Sequence, residues 1–393
     1  MKFFFQITAS LMLITCVSGV EMAFAQTNQV PENAPAAERP AVWGKPTETP
    51  NDSLVSPEVA PDGRVTFRLY APEAKNVSLR VNSDFHGGIL KFFKATNGVW
   101  WATSEPAPAG AYRYNFIVDG STVLDCRNPN TSSGVKSVQS VVEVSRGADD
   151  LQANQPGIAH GTLATVYYDS TVAGNGRRMH IYLPPNYEKG EKYPVLYLIH
   201  GGGDSDESWP TAGRPNFILD NLIAAGKAKP MVIVFPNGSI NGNLQQVKDP
   251  DQDPFTPELL TVIIPYIESH YRVSTSPDDR AIGGLSMGGH QTFYAGLTHP
   301  HLFHSLVILS SGLPNQKEFE KKYGPTLAKD TARLKLVWYG YGSRDLAKPN
   351  ALSTMKMFDH YGIKYQSEEV SGGTHDWSTW RFCLGHFAPL LFR

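Results

Sequence analysis

The chain has 393 residues, 41% of them hydrophobic, which is too long for one ordinary domain and apolar enough for a sizeable core. Its 35 basic and 37 acidic side chains give a net charge of −2, without the basic surplus that nucleic-acid binding requires. No apolar run reaches the roughly 18–20 residues of a membrane-spanning helix, and three cysteines (Cys16, Cys126, Cys383) with no C-x-x-C exclude a disulfide scaffold and a cysteine-built zinc site.

Lys2 precedes an apolar stretch from Phe3 to about Val17, and Ala23-Phe24-Ala25 supplies a small-x-small cleavage site. This three-part pattern predicts an export signal over residues 1–25. Cys16, after Leu13-Ile14-Thr15, gives a lipoprotein signal as the rival reading. Residues 26–52 are rich in Pro, Asn, Ala, Glu and Thr without apolar period and predict a flexible linker. Short alternating runs follow: Val65, Phe67 and Leu69; Val77, Leu79 and Val81; Tyr112, Tyr114, Phe116 and Val118; and Val138 to Val144. Pro61-Asp62-Gly63 and Asp119-Gly120 are hairpin signals between them. About seven such strands without a helix predict an all-β immunoglobulin-like sandwich over 53–147.

From residue 155 to 393 strand-like and helix-like runs alternate. Val195 to Ile199 and Met231 to Phe235 are continuous apolar strands, and Ala281-Ile282, Leu306 to Leu309 and Leu334 to Tyr339 are further ones. Phe217 to Ala225, Pro257 to His270, Gly289 to Leu297 and Ala351 to Tyr361 have helical texture. Buried strands separated by helices predict an α/β domain with a mostly parallel sheet covered on both faces. Tyr167-Tyr168 and Met179 to Leu183 are expected to add antiparallel strands at its start. Cys126 and Cys383 fall in different expected domains, so no bridge between them is expected.

The chemistry concentrates in this second domain. Gly284-Leu285-Ser286-Met287-Gly288 is a G-x-S-x-G between a strand and a helix, the context of a nucleophile elbow. A serine hydroxyl needs a base, and His375 stands in a loop after the strand Lys364 to Val370. Asp345, just beyond the strand that ends near Tyr339, is placed to hold the histidine ring. The order Ser286, Asp345, His375 is that of an α/β-hydrolase. Two backbone amides for an oxyanion are expected from Met287 and from Gly202 in His200-Gly201-Gly202-Gly203. Trp377, His290 and Trp209 are candidate substrate contacts. His299, His301 and His304 form an H-x-H-x-x-H that is expected to face solvent, and no metal or cofactor is called for.

These residues together resemble the esterase D type of α/β-hydrolase, specifically carbohydrate esterase family 1. The strings that carry the resemblance are Tyr193 to Gly203, Gly284 to Gly289, Gly373 to Trp377 with Trp380-Arg381, and Phe387 to Phe392. Residues 57–145 resemble the immunoglobulin-like module, similar to carbohydrate-binding module family 48, that precedes such esterases, through Pro61 to Arg68 and Asp125 to Pro129. The resemblance implies an exported serine esterase, of a Gram-negative periplasm or cell surface, acting on plant cell-wall polysaccharide. Feruloyl or other hydroxycinnamoyl esters on xylan come first and acetyl esters second. A siderophore (enterochelin-type) esterase and an acyltransferase are the alternatives within the fold, and a non-catalytic binding protein is the alternative outside catalysis. The sequence departs from the family at His290, where a third glycine is common, and at Tyr341, where a cysteine is common. Carbohydrate binding by the front module does not follow from its fold, and Trp100-Trp101 are as suited to packing. Because every expected catalytic residue lies beyond 155, a chain begun there is expected to keep activity on small esters.

Overall fold

The computed structural model describes residues 48–82, 84–85, 90–145, 147, 150–189, 192–240 and 249–393. The expected export signal and most of the expected linker, residues 1–47, lie outside the described residues. Pro50–Ser53, across the end of the expected linker, forms a 3-10 turn. Among the described residues no helix is long and apolar enough to cross a membrane.

Two antiparallel sheets form the front domain. One holds four strands in the spatial order Glu58–Val59, Val65–Tyr70, Val99–Thr103 and Phe93–Lys94. The other runs Val77–Val81, Gly110–Val118, Val138–Val144 and Thr131–Ser133, with Ser121–Val123 also paired to Gly110–Val118. The period-2 pattern is what closes them into a sandwich. Val65, Phe67 and Leu69 are buried while Thr66, Arg68 and Tyr70 are half-buried, and the first three pack with Tyr112, Tyr114 and Phe116 from the facing sheet. Asp119 (φ 46°) and Gly120 (φ 86°) make the tight turn into Ser121–Val123, as the Asp-Gly pair requires. Trp100 is half-buried, its indole N–H donating to Ala71 O, whereas Trp101 is exposed beside Phe93.

The second domain is one eight-stranded sheet. Its spatial order is Thr162–Ser170, Asn175–Leu183, Val232–Pro236, Val195–Ile199, Arg280–Leu285, Ser305–Leu309, Leu336–Gly342 and Gln366–Val370. The first two pairings are antiparallel and all the others parallel. Val195, Tyr197 and Ile199 enter the core on one face, and Leu196 and Leu198 the core on the other. A strand buried on both sides has no polar face to alternate with, hence its unbroken apolar sequence.

Two helices escape the sequence patterns. Gln316–Asp330 buries only Phe319 and Leu327 and carries Pro325 inside it, so it has too few apolar positions for a helical stripe. Trp377–Phe387 opens directly after the loop that holds His375. The expected helix Pro257 to His270 is broken into Phe255–Glu258, a π-type turn Leu259–Ile263 and Ile264–His270.

Sandwich and α/β domain meet along a bonded seam. Arg381, on the helix Trp377–Phe387, is buried and donates from Nη1 to Ala111 O of the sandwich (3.2 Å) and to Ala212 O (2.8 Å). Asp84 Oδ2 of the sandwich lies 3.8 Å from Arg381 Nη2. Burial pushes the Asp84 carboxyl up to about 6, with the Arg381 charge pulling the other way. The fold therefore favours the neutral acid, and the stability this confers is lost as pH rises through about 6. Arg381→Met removes the charge that opposes this shift. It should cost about 3–5 kcal/mol, as when one member of a buried pair is deleted, and thermal melts should show a larger loss at pH 8 than at pH 5. An equal loss at both values would separate Asp84 from the effect.

Candidate active site

Ser286 sits between the strand Arg280–Leu285 and the helix Met287–Thr298, with φ 53° and ψ −113°. A left-handed backbone at a residue with a side chain is costly, of order 1–3 kcal/mol, and persists only where its surroundings enforce it. Here they do. The Ser286 amide donates to Leu309 O on the next strand (2.9 Å), and Ser311 Oγ donates to Ser286 O (2.9 Å). The flanking glycines are required by close approach. A Cβ on Gly284 would stand 2.4 Å from the Gly288 carbonyl, and one on Gly288 would stand 2.6 Å from the Ile199 and His200 carbonyl oxygens.

His375 follows the strand Gln366–Val370 and is partly exposed. Its Nδ1 is 2.9 Å from Asp345 Oδ1. A carboxylate only accepts, so Nδ1 carries the hydrogen and Nε2 keeps its lone pair. Asp345 is buried just past the strand Leu336–Gly342. Burial raises its carboxyl pKa, but hydrogen bonds from His375, the Ser310 hydroxyl and the Ala347 amide outweigh that and hold it below the usual carboxylate range. Trp380 packs its ring edge-on against His375, centroids 5.3 Å apart, and its indole N–H donates to Ser310 Oγ at 2.8 Å. Asp376 is occupied elsewhere: it caps the helix Trp377–Phe387, accepting from Thr379 N at 3.0 Å, and binds the Thr374 hydroxyl.

Ser286 and His375 line one cleft of about 240 Å³, together with Gly201, Gly202, Trp377 and Trp380. A Cβ on Gly202 would lie 4.0 Å from Met287 Cβ, so the two residues expected to hold an oxyanion are neighbours. His200 orders their loop. Gly238 N donates to its Nε2 (3.0 Å), which fixes the hydrogen on Nδ1, and that nitrogen reaches Gly201 O (2.8 Å).

The rest of the loop is clamped from both sides. From the α/β domain, Asp206 accepts from His180 (2.7 Å) and Arg178 (2.8 Å). Burial raises the Asp206 pKa, but these two bonds prevail and keep it low. From the sandwich, Val135 N donates to Gly203 O (3.0 Å), Ser133 N to Glu207 Oε2 (3.0 Å), and Ser133 O accepts from Ser205 Oγ (2.5 Å).

Two candidate contacts are placed differently from expectation. Trp209 is 1% exposed and does not line the cleft; its indole N–H donates to Ile199 O, and its ring packs edge-on behind Trp377. Its flat apolar bulk is used to back the cleft wall. His290 is also absent from that wall. Burial pushes its imidazole down to about 4. A histidine lowered in this way gives stability that is complete above the unfolded value near ~6.5 and is lost as pH falls toward about 4, roughly 3 kcal/mol in all. His290→Gln should therefore gain on the wild type in melting temperature between pH 7 and pH 4; parallel curves would contradict this. In the H-x-H-x-x-H, the His299 and His301 rings lie 6.0 Å apart, while His304 pairs with Asp278 at 2.5 Å.

The cleft also holds residues that the sequence did not mark: Asn82 and Arg113 from the sandwich, and Asp204. A chain begun near 155 would lack two of its lining side chains and the sandwich half of the loop clamp.

A strained serine, a histidine paired to a buried carboxylate and neighbouring loop amides on a mostly parallel sheet define the serine-hydrolase class of α/β-hydrolase fold. The Esterase family model matches residues 170–387, more than half of the chain, and the chain belongs to that family. It is similar to the endo-1,4-beta-xylanase/feruloyl esterase of Xylanibacter ruminicola, 32% identical over 347 residues. The alignment covers 86% of this chain and 46% of that protein, so the chain spans less than half the length of this relative. Among solved structures it is similar to the CE1 ferulic acid esterase of the anaerobic fungus Anaeromyces mucronatus, with a TM-score of 0.54 and 25% identity over 63% of this chain and 96% of the other. The enterobactin esterase of Shigella flexneri matches with a TM-score of 0.60 and 18% identity, covering 84% of this chain and 93% of that one. That likeness is of fold alone and extends beyond the α/β domain into the sandwich.

Proposed function

We propose that this chain is a serine esterase that releases hydroxycinnamoyl groups, feruloyl first, from xylan-type plant cell-wall polysaccharide. The observation that carries the reading is the left-handed Ser286 in one cleft with a His375 whose Nδ1 is tied to buried Asp345. The 32% identity to a xylanase/feruloyl esterase supports the acyl and sugar assignment. In this reading Nε2 of His375 takes the Ser286 proton as Oγ adds to the ester carbonyl. The oxyanion accepts hydrogen bonds from the Met287 and Gly202 amides. The C–O bond to the sugar breaks, and the proton on His375 goes to the departing sugar oxygen. Water then adds to the acyl-serine by the same route, releasing the acid and restoring Ser286. Trp377 walls the cleft, and the chemistry needs no cofactor. The amino-terminal pattern of residues 1–25 supports export, with the substrate met outside the cytoplasm.

Initial rates on methyl ferulate, acetylated xylan and enterobactin test the assignment. Ferulate release is expected to be the fastest; preference for enterobactin, or no hydrolysis of any of the three, would overturn it.

A further inference from the structure

Arg177 does not line the catalytic cleft. It stands on the antiparallel strand Asn175–Leu183 with its side chain only 8% exposed. Its guanidinium grips the segment that leaves the strand Val232–Pro236. Nη2 donates to Asn237 O (2.5 Å) and Nη1 to Ser239 O (3.2 Å), so one planar fork holds the carbonyls on either side of Gly238. The fork is aimed from behind by Glu258, which is fully buried and lies 3.3 Å from Arg177 Nε. Glu258 in turn accepts from Tyr168 OH (2.9 Å) and Ser170 Oγ (2.5 Å) of the edge strand Thr162–Ser170.

Gly238 touches both sides of the expected oxyanion site. Its N–H donates to His200 Nε2 (3.0 Å), and His200 Nδ1 reaches the carbonyl of Gly201 (2.8 Å), the residue before Gly202. Its carbonyl accepts from Gln291 Nε2 (2.8 Å), one turn beyond Met287 on the helix Met287–Thr298. The fit leaves no slack: a Cβ on Gly238 would stand 2.5 Å from Gln291 Oε1, 2.8 Å from Ile199 Cγ2 and 3.4 Å from Met287 Cε. One short segment therefore ties the loop that carries one amide to the helix that begins with the other. Such donors serve a transition state only when held within about 0.5 Å of the productive geometry. Arg177 fixes the segment on the side away from both.

We propose that Arg177 is a positioning residue for the oxyanion hole: through Asn237–Ser239 it sets the spacing of the Gly202 and Met287 amides without touching substrate. This rests on the esterase reading above and adds to it what holds the two donors in register. Glu258, Arg177, Gly238 and His200 then form one line of polar contacts from the edge of the sheet to the glycine loop.

The test measures kcat and KM on methyl ferulate, and the inhibition constant of an aryl trifluoromethyl ketone, in the full chain and in Arg177→Met. Ser286 Oγ bonds to the ketone carbon, its proton passes to His375, and the carbonyl π pair becomes an oxyanion, so the inhibitor reads the hole directly. Removing an oxyanion donor outright costs about 10²–10³ in kcat, and displacing one is expected to cost about tenfold or more. The inhibition constant should rise by a comparable factor while KM stays unchanged. Arg177→Lys, which keeps the charge but cannot fork onto two carbonyls, should recover part of both losses. Gln291→Met frees the same segment on its helix side. It should move both constants in the same direction by roughly threefold, and it carries the test if Arg177→Met is misfolded by circular dichroism. An unchanged kcat in the folded variants overturns the proposal. So does a kcat that falls while the inhibition constant holds, which is what a mere loss of active molecules would give. A wild type that cleaves acetylated xylan or enterobactin but not methyl ferulate corrects the substrate only, and the constants are then read on the ester it cleaves. A wild type inert on all three esters overturns the esterase reading and the positioning role together.

Discussion

Ser286→Ala is expected to lower turnover on an aryl ester by about 10⁶-fold, the scale on which loss of a serine nucleophile is felt. The fold should survive. The turn is held by backbone bonds, from Ser286 N to Leu309 O and from Ser311 Oγ to Ser286 O, and alanine keeps both. Alanine tolerates the left-handed φ no better than serine, so the strain is carried over rather than relieved. An unchanged melting temperature with undetectable turnover is the expected pair of results. Near-normal turnover on any ester that the wild type cleaves would remove Ser286 as nucleophile.

Asp345→Asn is expected to cost roughly 10³–10⁴ in kcat with little change in KM. An amide in place of the carboxylate can present N–H to Nδ1 and so favour the imidazole tautomer whose hydrogen sits on Nε2, where it blocks the base. Asp376→Asn is the control, because Asp376 lines the same cleft and neighbours His375 in sequence, yet its carboxylate is bonded to Thr379 N and the Thr374 hydroxyl and not to the His375 ring. Its carboxylate caps a helix through Thr379 N, and asparagine caps about as well as aspartate. A loss of about tenfold, from small shifts of the loop, is the most this change should give. Steady-state kinetics of the two variants on one substrate decide the matter. A severe loss at 376 with an intact 345 variant would reverse the roles.

Most of the architecture was legible because its signals are local. Val195 to Ile199 is uniformly apolar, Val65 to Tyr70 alternates, and Asp119-Gly120 marks a tight turn; each follows from the period of the element and the faces it buries. Glycines at 284 and 288 are legible as well, since their reason is contact with backbone one turn or one strand away. The helix Gln316–Asp330 was not legible, because its two buried apolar residues and internal proline leave no stripe to detect. Arg113 was hidden for a different reason. In its strand it occupies the polar position of an alternating pattern, which reads as solvent-facing until the neighbouring domain covers it. Trp209 was misjudged on similar grounds, for nothing in sequence distinguishes an aromatic ring on a cleft wall from one directly behind it. What sequence period cannot carry is the docking of two domains, and the sandwich side of the cleft is made by docking.

The Arg381 contact bears on how such a protein can be reshuffled. Its Nη1 donates to one carbonyl from each domain, Ala111 O and Ala212 O. A foreign sandwich grafted ahead of residue 155 would have to present a carbonyl at the position of Ala111, or leave a buried cation half-bonded. The sandwich and the α/β domain are therefore expected to be exchangeable only together, as parts of the one compact unit Thr49–Arg393. Exchange at the apparent boundary near 150 would break the seam that both halves build.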